Sequence, residues 1–212
     1  MDEMKQVDKS HYAFEQYMTM MRWTSVWHQV NEISRLKPKN VLEIGPGPGV
    51  FKKVAGAFGI SVETLDLDPE LSPDHVGSAT ALPFEDNTYD VVCAFQMLEH
   101  LEFEKSLIAF REMARVAERN IVISLPDCRV RWPTTITLPR IGALKLFIPK
   151  PRLRAPRHQF DGEHFWEIGK SGYSLSYVID ELVSAGTVDL EYSFRIHENP
   201  YHRFFLFNKK KL

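Results

Sequence analysis

Cysteine is scarce. Cys93 and Cys128 are the only two among 212 residues. They lie far apart in unrelated contexts, which excludes a disulfide framework and a cysteine zinc signature. A reducing, cytoplasmic compartment follows as the default expectation. Neither sign of charge is in excess: 26 Lys and Arg stand against 28 Asp and Glu, a net of −2. That excludes the strongly basic surface on which generic nucleic-acid binding depends, so no nucleic-acid partner is expected. No window reaches the ~18 uninterrupted apolar residues of a membrane span. The start, Met1-Asp2-Glu3-Met4-Lys5-Gln6, lacks the apolar stretch and cleavage pattern of a secretory signal. Internal repeats and low-complexity tracts are absent too. What is present, 44% apolar and 25% charged residues, has the proportions of a globular protein of one domain.

Hydrophobic periodicity orders the chain. Met20, Trp23, Trp27, Val30 and Ile33 recur at helical steps and predict one inward face of a helix over 11–36, stopped by Pro38. Val41-Leu42-Glu43-Ile44 reads as a short buried strand, Val50 to Phe58 as a helix and Ile60 to Leu67 as a second strand. His75-Val76 is a short third strand, and the run from Asp90 to Phe95 is a strand buried on both faces. Leu107, Phe110, Ala114 and Ala117 mark a helix, and Ile121-Val122-Ile123 a further strand. Leu175, Val178, Ile179 and Leu182 form a last helical stripe, with Gly186 expected in the left-handed closing position. Val188–Ile196 and His202–Phe207 read as two final strands. Alternating strands and helices over 40–125 imply a doubly wound α/β fold around a parallel sheet, whose ligands bind beyond the carboxyl ends of the strands.

Residues 126–158 break this rhythm with six prolines and eight Lys or Arg against one acid, Asp127. Two readings stand: a lid or substrate segment, or a surface excursion with a solvated basic face. As a lid it would favour an anionic acceptor. Leu144, Leu146, Phe147 and Ile148 interleave with its basic residues, so peripheral contact with anionic lipid is a further option. Trp132 and Trp166 either wall a substrate pocket or are packed away.

The sharpest signal is the run Glu43-Ile44-Gly45-Pro46-Gly47-Pro48-Gly49-Val50, between a strand and a helix. Glycines there let the chain turn tightly and let a ligand approach backbone N–H groups at the positive end of the next helix. Asp66 ends the following strand, where a carboxylate can accept both hydroxyls of a ribose. The alternative is that Asp66 and Asp68 only begin a turn before Pro69. A dinucleotide fingerprint would carry glycine where this chain has Val50. Glu43, two residues before the first glycine, suits a ligand with an ammonium group better than a pyrophosphate. A ligand with ribose, adenine, an amine and one carboxylate, but no phosphate, is S-adenosyl-L-methionine.

On these residues the chain resembles the class I S-adenosylmethionine-dependent methyltransferases of the type 11 methyltransferase domain. Five segments match in order: Leu42–Gly49, Leu65–Glu70, Gly77–Phe84, Asp90–Val92 and Leu98–Leu101. The resemblance implies a Rossmann-like, mostly parallel seven-stranded sheet ending in an antiparallel hairpin. It implies that Glu43, Gly45, Gly47 and Gly49 surround the methionine and ribose parts of the cofactor. Asp66 would hold the ribose, Leu67 and Ala79 the adenine, and Phe95 and Gln96 the sulfur. Ser78 departs from the family, which often carries Asp there, and weakens the adenine assignment.

One domain is expected over 1–212: an N-terminal helical segment (11–37), a cofactor core (40–125), an insertion (126–170) and a C-terminal helix and hairpin (171–212). His100, Glu163 and His164 are the candidates for an acceptor-side base. Against this, His100 could simply start a helix, and the run His158–His164 could be held by loop hydrogen bonds. That run matches no standard metal spacing, so no metal is assigned. Arg22 either pairs with the cofactor carboxylate or is solvated. The acceptor is expected to be a small or lipid-linked molecule, with a lean to oxygen. The rival readings are a nucleotide-dependent oxidoreductase and a cofactor-binding protein without catalysis.

Overall fold

The computed structural model describes residues 9–150 and 154–210. Nine strands are found among them: β1 (Val41–Ile44), β2 (Val62–Asp66), β3 (His75–Val76), β4 (Tyr89–Phe95), β5 (Ala117–Pro126), β6 (Arg131–Leu138), β7 (Gly142–Pro149), β8 (Val188–Arg195) and β9 (His202–Lys209). The α-helices are α1 (Phe14–Tyr17), α2 (Met20–Leu36), α3 (Val50–Ala57), α4 (Phe103–Val116) and α5 (Leu175–Gly186). Seven strands form one sheet in the order β3-β2-β1-β4-β5-β9-β8. The first five run parallel. β9 is antiparallel to both β5 and β8. This is the expected Rossmann-like α/β sheet, closed at one edge by its C-terminal hairpin.

β1 and β4 are buried along their whole length because helices cover both faces of the sheet. One core unites α4, α5 and Trp166 with one face. The other gathers Ile33 of α2 and Phe51 of α3 with Val41, Val91 and Phe204. The order in which strands are added reverses between β1 and β4, the middle of the sheet, which opens a crevice above their carboxyl ends.

Three expectations are corrected. The helical stripe on α2 holds only at its C-terminal end: Ile33 is buried and Val30 packs beside it, but Met20, Trp23 and Trp27 are exposed, while Ser25, Val26, Gln29 and Glu32 face inward. The buried polar groups have partners, since Asn199 Nδ2 donates to Ser25 Oγ (3.0 Å) and Tyr192 to Glu32 (2.5 Å). Polar residues with partners thus took the inward face that apolar counting gave to tryptophan. Gly186 does not close α5 in a left-handed conformation; Thr187 does, at φ 53°. A Cβ on Gly186 would lie 2.7 Å from the Phe110 ring, so close helix packing requires the glycine there. Ala117 belongs to β5, not to the stripe of α4.

The segment after β5 is the largest departure from the sequence reading. It forms a separate two-stranded antiparallel sheet of β6 and β7. Trp132, Ile136 and Leu138 pair with Ile148, Leu144 and Gly142, which sets an apolar row on one face. Those side chains are exposed. Lys145 pairs with Glu198, and the Thr134 carbonyl accepts from His197 Nε2 (3.3 Å). Both contacts tie the hairpin to the β8–β9 loop.

The base of this excursion is an ion knot. Asp127 is fully buried and contacts Arg129, Arg195 and Arg203. The three guanidiniums hold its carboxyl well below the ordinary range despite the cost of burial. Removing one member of a buried ionic cluster strands the others. Asp127→Asn is therefore expected to lower stability by ~3–5 kcal/mol, read as a shifted midpoint in urea unfolding. A midpoint within error of the parent would show that the knot contributes nothing.

Candidate functional site

A cavity of about 610 Å³ lies over the carboxyl ends of β1, β2 and β4. Its floor is the glycine turn. Gly45 and Gly47 have φ of 67° and 53°. A Cβ at Gly45 would sit 2.4 Å from Met97 Cγ, and one at Gly47 would sit 3.1 Å from the Tyr12 ring. Both conformation and space therefore demand glycine. Gly49 does not line the cavity; it stands in a left-handed conformation as the cap of α3, so its part is to turn the chain into the helix.

Glu43 projects from β1 into this cavity and is 3% exposed. Its Oε2 has no hydrogen-bond partner among the described residues. Burial pushes its carboxyl up to about 8, with Lys52 pulling the other way and Asp66 adding to the rise. Asp66 lies at the end of β2, and its Oδ1 accepts from the Asp68 N–H (2.9 Å). Asp68 in turn accepts from Glu70 N–H (2.9 Å). The turn-forming alternative is thus realised, and Asp66 lines the cavity as well. Leu67, Gly77 and Ala79 continue that wall, while Phe95, Gln96 and Met97 close the end of β4. Gln96 holds φ 54°, a strained conformation for a residue with a side chain, and its Nε2 donates to Ser124 Oγ (3.2 Å). Ser78 bonds to Thr80 and is not among the lining residues.

The roof comes from the N-terminal segment. His11, Tyr12, Tyr17 and Arg22 all line the cavity. Tyr12 and Tyr17 meet edge to face at 5.0 Å, and the Arg22 guanidinium lies 3.8 Å over the Tyr17 ring. The continuous helix expected from residue 11 is broken into short pieces before α2, and Tyr12 and Tyr17 lie in those pieces, off the apolar stripe read from the sequence.

The remaining wall gathers the expected acceptor-side residues. His100 follows β4, and Glu163 and His164 come from the loop after the hairpin; all three line the cavity. The His100 and His164 rings meet edge to face at 5.0 Å. Burial, reinforced by His164, lowers the His100 pKa to about 4. For His164, burial works against the proton, yet Glu167, Glu99 and Asp161 outweigh it and the pKa rises. His164 Nδ1 lies 3.1 Å from Glu167 Oε1, which also accepts from the Tyr201 hydroxyl (2.5 Å). Loop hydrogen bonds are present too: Asp161 accepts from the N–H groups of Glu163 and His164, and His158 bonds the His164 carbonyl. Glu99 and Glu167 are buried members of this cluster that sequence reasoning did not single out. Trp166 is packed against Phe103 and fully buried, and Trp132 is on the hairpin outside the cavity.

The model of a family described as a methyltransferase domain matches residues 11–166. The chain belongs to this methyltransferase domain family. Norajmaline N-methyltransferase of Rauvolfia serpentina is 36% identical over a stretch covering 38% of this chain and 33% of the relative. That stretch spans about a third of the relative's length. Among solved structures, the 1,6-didemethyltoxoflavin-N1-methyltransferase of Burkholderia thailandensis, with S-adenosylhomocysteine bound, aligns with a TM-score of 0.60 at 12% identity. It covers 96% of this chain and 87% of that one. Magnesium protoporphyrin IX methyltransferase of Synechocystis, also solved with its ligand, gives 0.57 at 13% identity, covering 90% and 84%. These likenesses establish the fold of this methyltransferase-domain chain.

The Glu43 carboxyl supplies a test that needs no ligand. From its ordinary value of 4.5 up to about 8, the folded chain keeps a proton that the unfolded chain releases. Stability therefore falls as pH rises through that window. Glu43→Gln removes the effect. At pH 8.5 the ligand-free variant is expected to exceed the parent by on the order of 2–4 kcal/mol, with the gap closing below pH 4.5. Urea unfolding at both pH values measures it, and a variant no more stable at pH 8.5 would contradict the burial argument.

Proposed function

We propose that this chain transfers a methyl group from S-adenosylmethionine to an oxygen of a small or lipid-linked acceptor. The observation that carries the reading is the buried Glu43 carboxyl beside the glycine turn, whose Oε2 has no hydrogen-bond partner among the described residues. A buried carboxylate without a counter-charge is costly, and an ammonium group placed there would relieve it. The residues fit the cofactor in other respects. Gly45 and Gly47 leave the turn open where a Cβ would fill it. Asp66 faces the same cavity and would take the ribose hydroxyls, with Leu67 and Ala79 beside the adenine. Arg22 would meet the cofactor carboxylate, and Phe95 and Gln96 would border the sulfur. When bound, this cofactor supplies a methyl group on a positively charged sulfur, which leaves as a neutral thioether.

The chain's own part is alignment and exclusion of water, worth ~7–11 kcal/mol in favourable cases. Tyr12 and Tyr17 cover the cavity from the N-terminal side, and Phe95 and Phe165 narrow it from within. His100, Glu163 and His164 form the wall that an acceptor would meet. Glu163, half exposed and 3.8 Å from His11, is placed to pass an acceptor proton to solvent.

The β6–β7 hairpin supports an acceptor carried on an anionic lipid surface. Its exposed apolar row lies within a segment of eight basic residues and one acid. An isolated two-stranded hairpin is marginal in water, and burial of that row would stabilise it. Apolar insertion flanked by basic residues fits an anionic bilayer.

Two measurements test these readings. Asp66→Ala is expected to weaken S-adenosylhomocysteine binding by more than about tenfold in calorimetry, through lost hydrogen bonds to a charged acceptor. An unchanged dissociation constant would remove Asp66 from the site. In sedimentation with phosphatidylglycerol vesicles, the parent should pellet and the Ile136→Asp, Leu146→Asp double variant should stay in solution. Equal pelleting would remove the hairpin from membrane contact.

A further inference from the structure

Behind the acceptor wall sits a second buried carboxylate. Glu99 is 0% exposed, and neither of its oxygens receives a hydrogen bond from another described residue. Donor atoms of Glu99, His100 and His164 all lie within 4.8 Å of one another. His164 already has Glu167 at Nδ1, and Glu167 is itself held by Tyr201. His100 bonds the backbone of Glu163. Each imidazole therefore has one nitrogen engaged by an oxygen acceptor. In metal sites, that outer hydrogen bond is what fixes the tautomer and aims the other nitrogen at the ion.

We propose that Glu99, His100 and His164 bind a divalent metal ion on the acceptor side of the cavity, and that the acceptor is an oxygen chelator. This deepens the proposed function and rests on it for the identity of the reaction, though not for the binding of the ion. Donors lie about 2.0–2.2 Å from such an ion and so up to ~4 Å from one another. Small side-chain rotations close the observed spacing. One carboxylate and two imidazoles suit a transition-metal ion such as Mn²⁺, Fe²⁺ or Zn²⁺, with positions left open. His100 and His164 line the cavity, so those positions face the space where an acceptor would sit.

A neighbouring set, Asp161, His164 and Glu167, has comparable spacing. Its acids are already engaged. Asp161 accepts two backbone N–H groups, and Glu167 serves His164 and Tyr201. Glu99 differs because neither of its oxygens has a hydrogen-bond partner among the described residues. A metal ion would answer its charge, and would also hold two adjacent oxygens of an acceptor such as a vicinal diol, a catechol or a hydroxy acid. A hydroxyl bound to the ion loses its proton to solvent more readily. The ion's own chemistry is therefore that of a Lewis acid, with no change of oxidation state.

The test uses the whole chain, stripped with a chelator and dialysed. Mn²⁺ binding is followed by electron paramagnetic resonance, and S-adenosylhomocysteine binding by calorimetry on the same samples. One Mn²⁺ per chain is expected. Glu99→Gln, nearly isosteric, should weaken Mn²⁺ at least about tenfold while leaving S-adenosylhomocysteine affinity unchanged. Glu167→Gln, acting through His164, should weaken it by ~10–100-fold. His158→Ala should have no effect on Mn²⁺. Absence of Mn²⁺ binding in the parent, or equal binding in Glu99→Gln, would overturn the metal site. Failure to bind S-adenosylhomocysteine would instead overturn the proposed function and leave the metal result standing.

Discussion

A carboxylate enclosed by apolar groups must be neutralised, paired or left at a cost. That constraint shapes this molecule around Glu43. The side chain stands on the central strand of the sheet, where its neighbours on both sides are fully buried. Among the described residues none hydrogen-bonds its Oε2. The glycine turn, the reversal between β1 and β4 and the tyrosine roof all enclose the same point. An arrangement that strains stability in the empty protein becomes favourable when a cation is seated.

The cavity is bracketed by two such acids, and the fold treats them differently. Glu43 comes from a strand and faces the cavity directly, while Glu99 comes from the turn that follows β4 and is shielded by two imidazoles. Between them lies Gln96, whose positive φ lets the chain leave β4 and double back. Asp127 solves the same electrostatic problem in a third way, with three arginines of its own.

The parallel core was legible because its strands are continuous apolar runs and its helices are amphipathic. The glycine turn was legible for a different reason: Gly45 and Gly47 occupy conformations that few other residues tolerate. The N-terminal helix misled because Trp23 and Trp27 are exposed and Gln29 and Glu32 are inward. Periodicity counts apolar residues and does not see that a buried polar group has found a partner. The hairpin was invisible for a related reason. Its strands have no core to face, and prolines at 133 and 149 argue against a central strand while being tolerated in an edge. Glu167 and Tyr201 could not be read as site residues in the sequence because only the folded chain brings them to His164.

The two ends of the excursion from the sheet meet at one place. Cys128 N–H donates to the Ile168 carbonyl, Ile168 N–H to the Pro126 carbonyl, and Asp127 anchors its arginines between them. The β6–β7 hairpin therefore belongs to an excursion closed at its neck. Doubling the length of such a loop costs only ~0.6 kcal/mol in closure entropy. Its outer part is thus a replaceable cassette, which could be shortened, lengthened or exchanged while the sheet beneath kept its register.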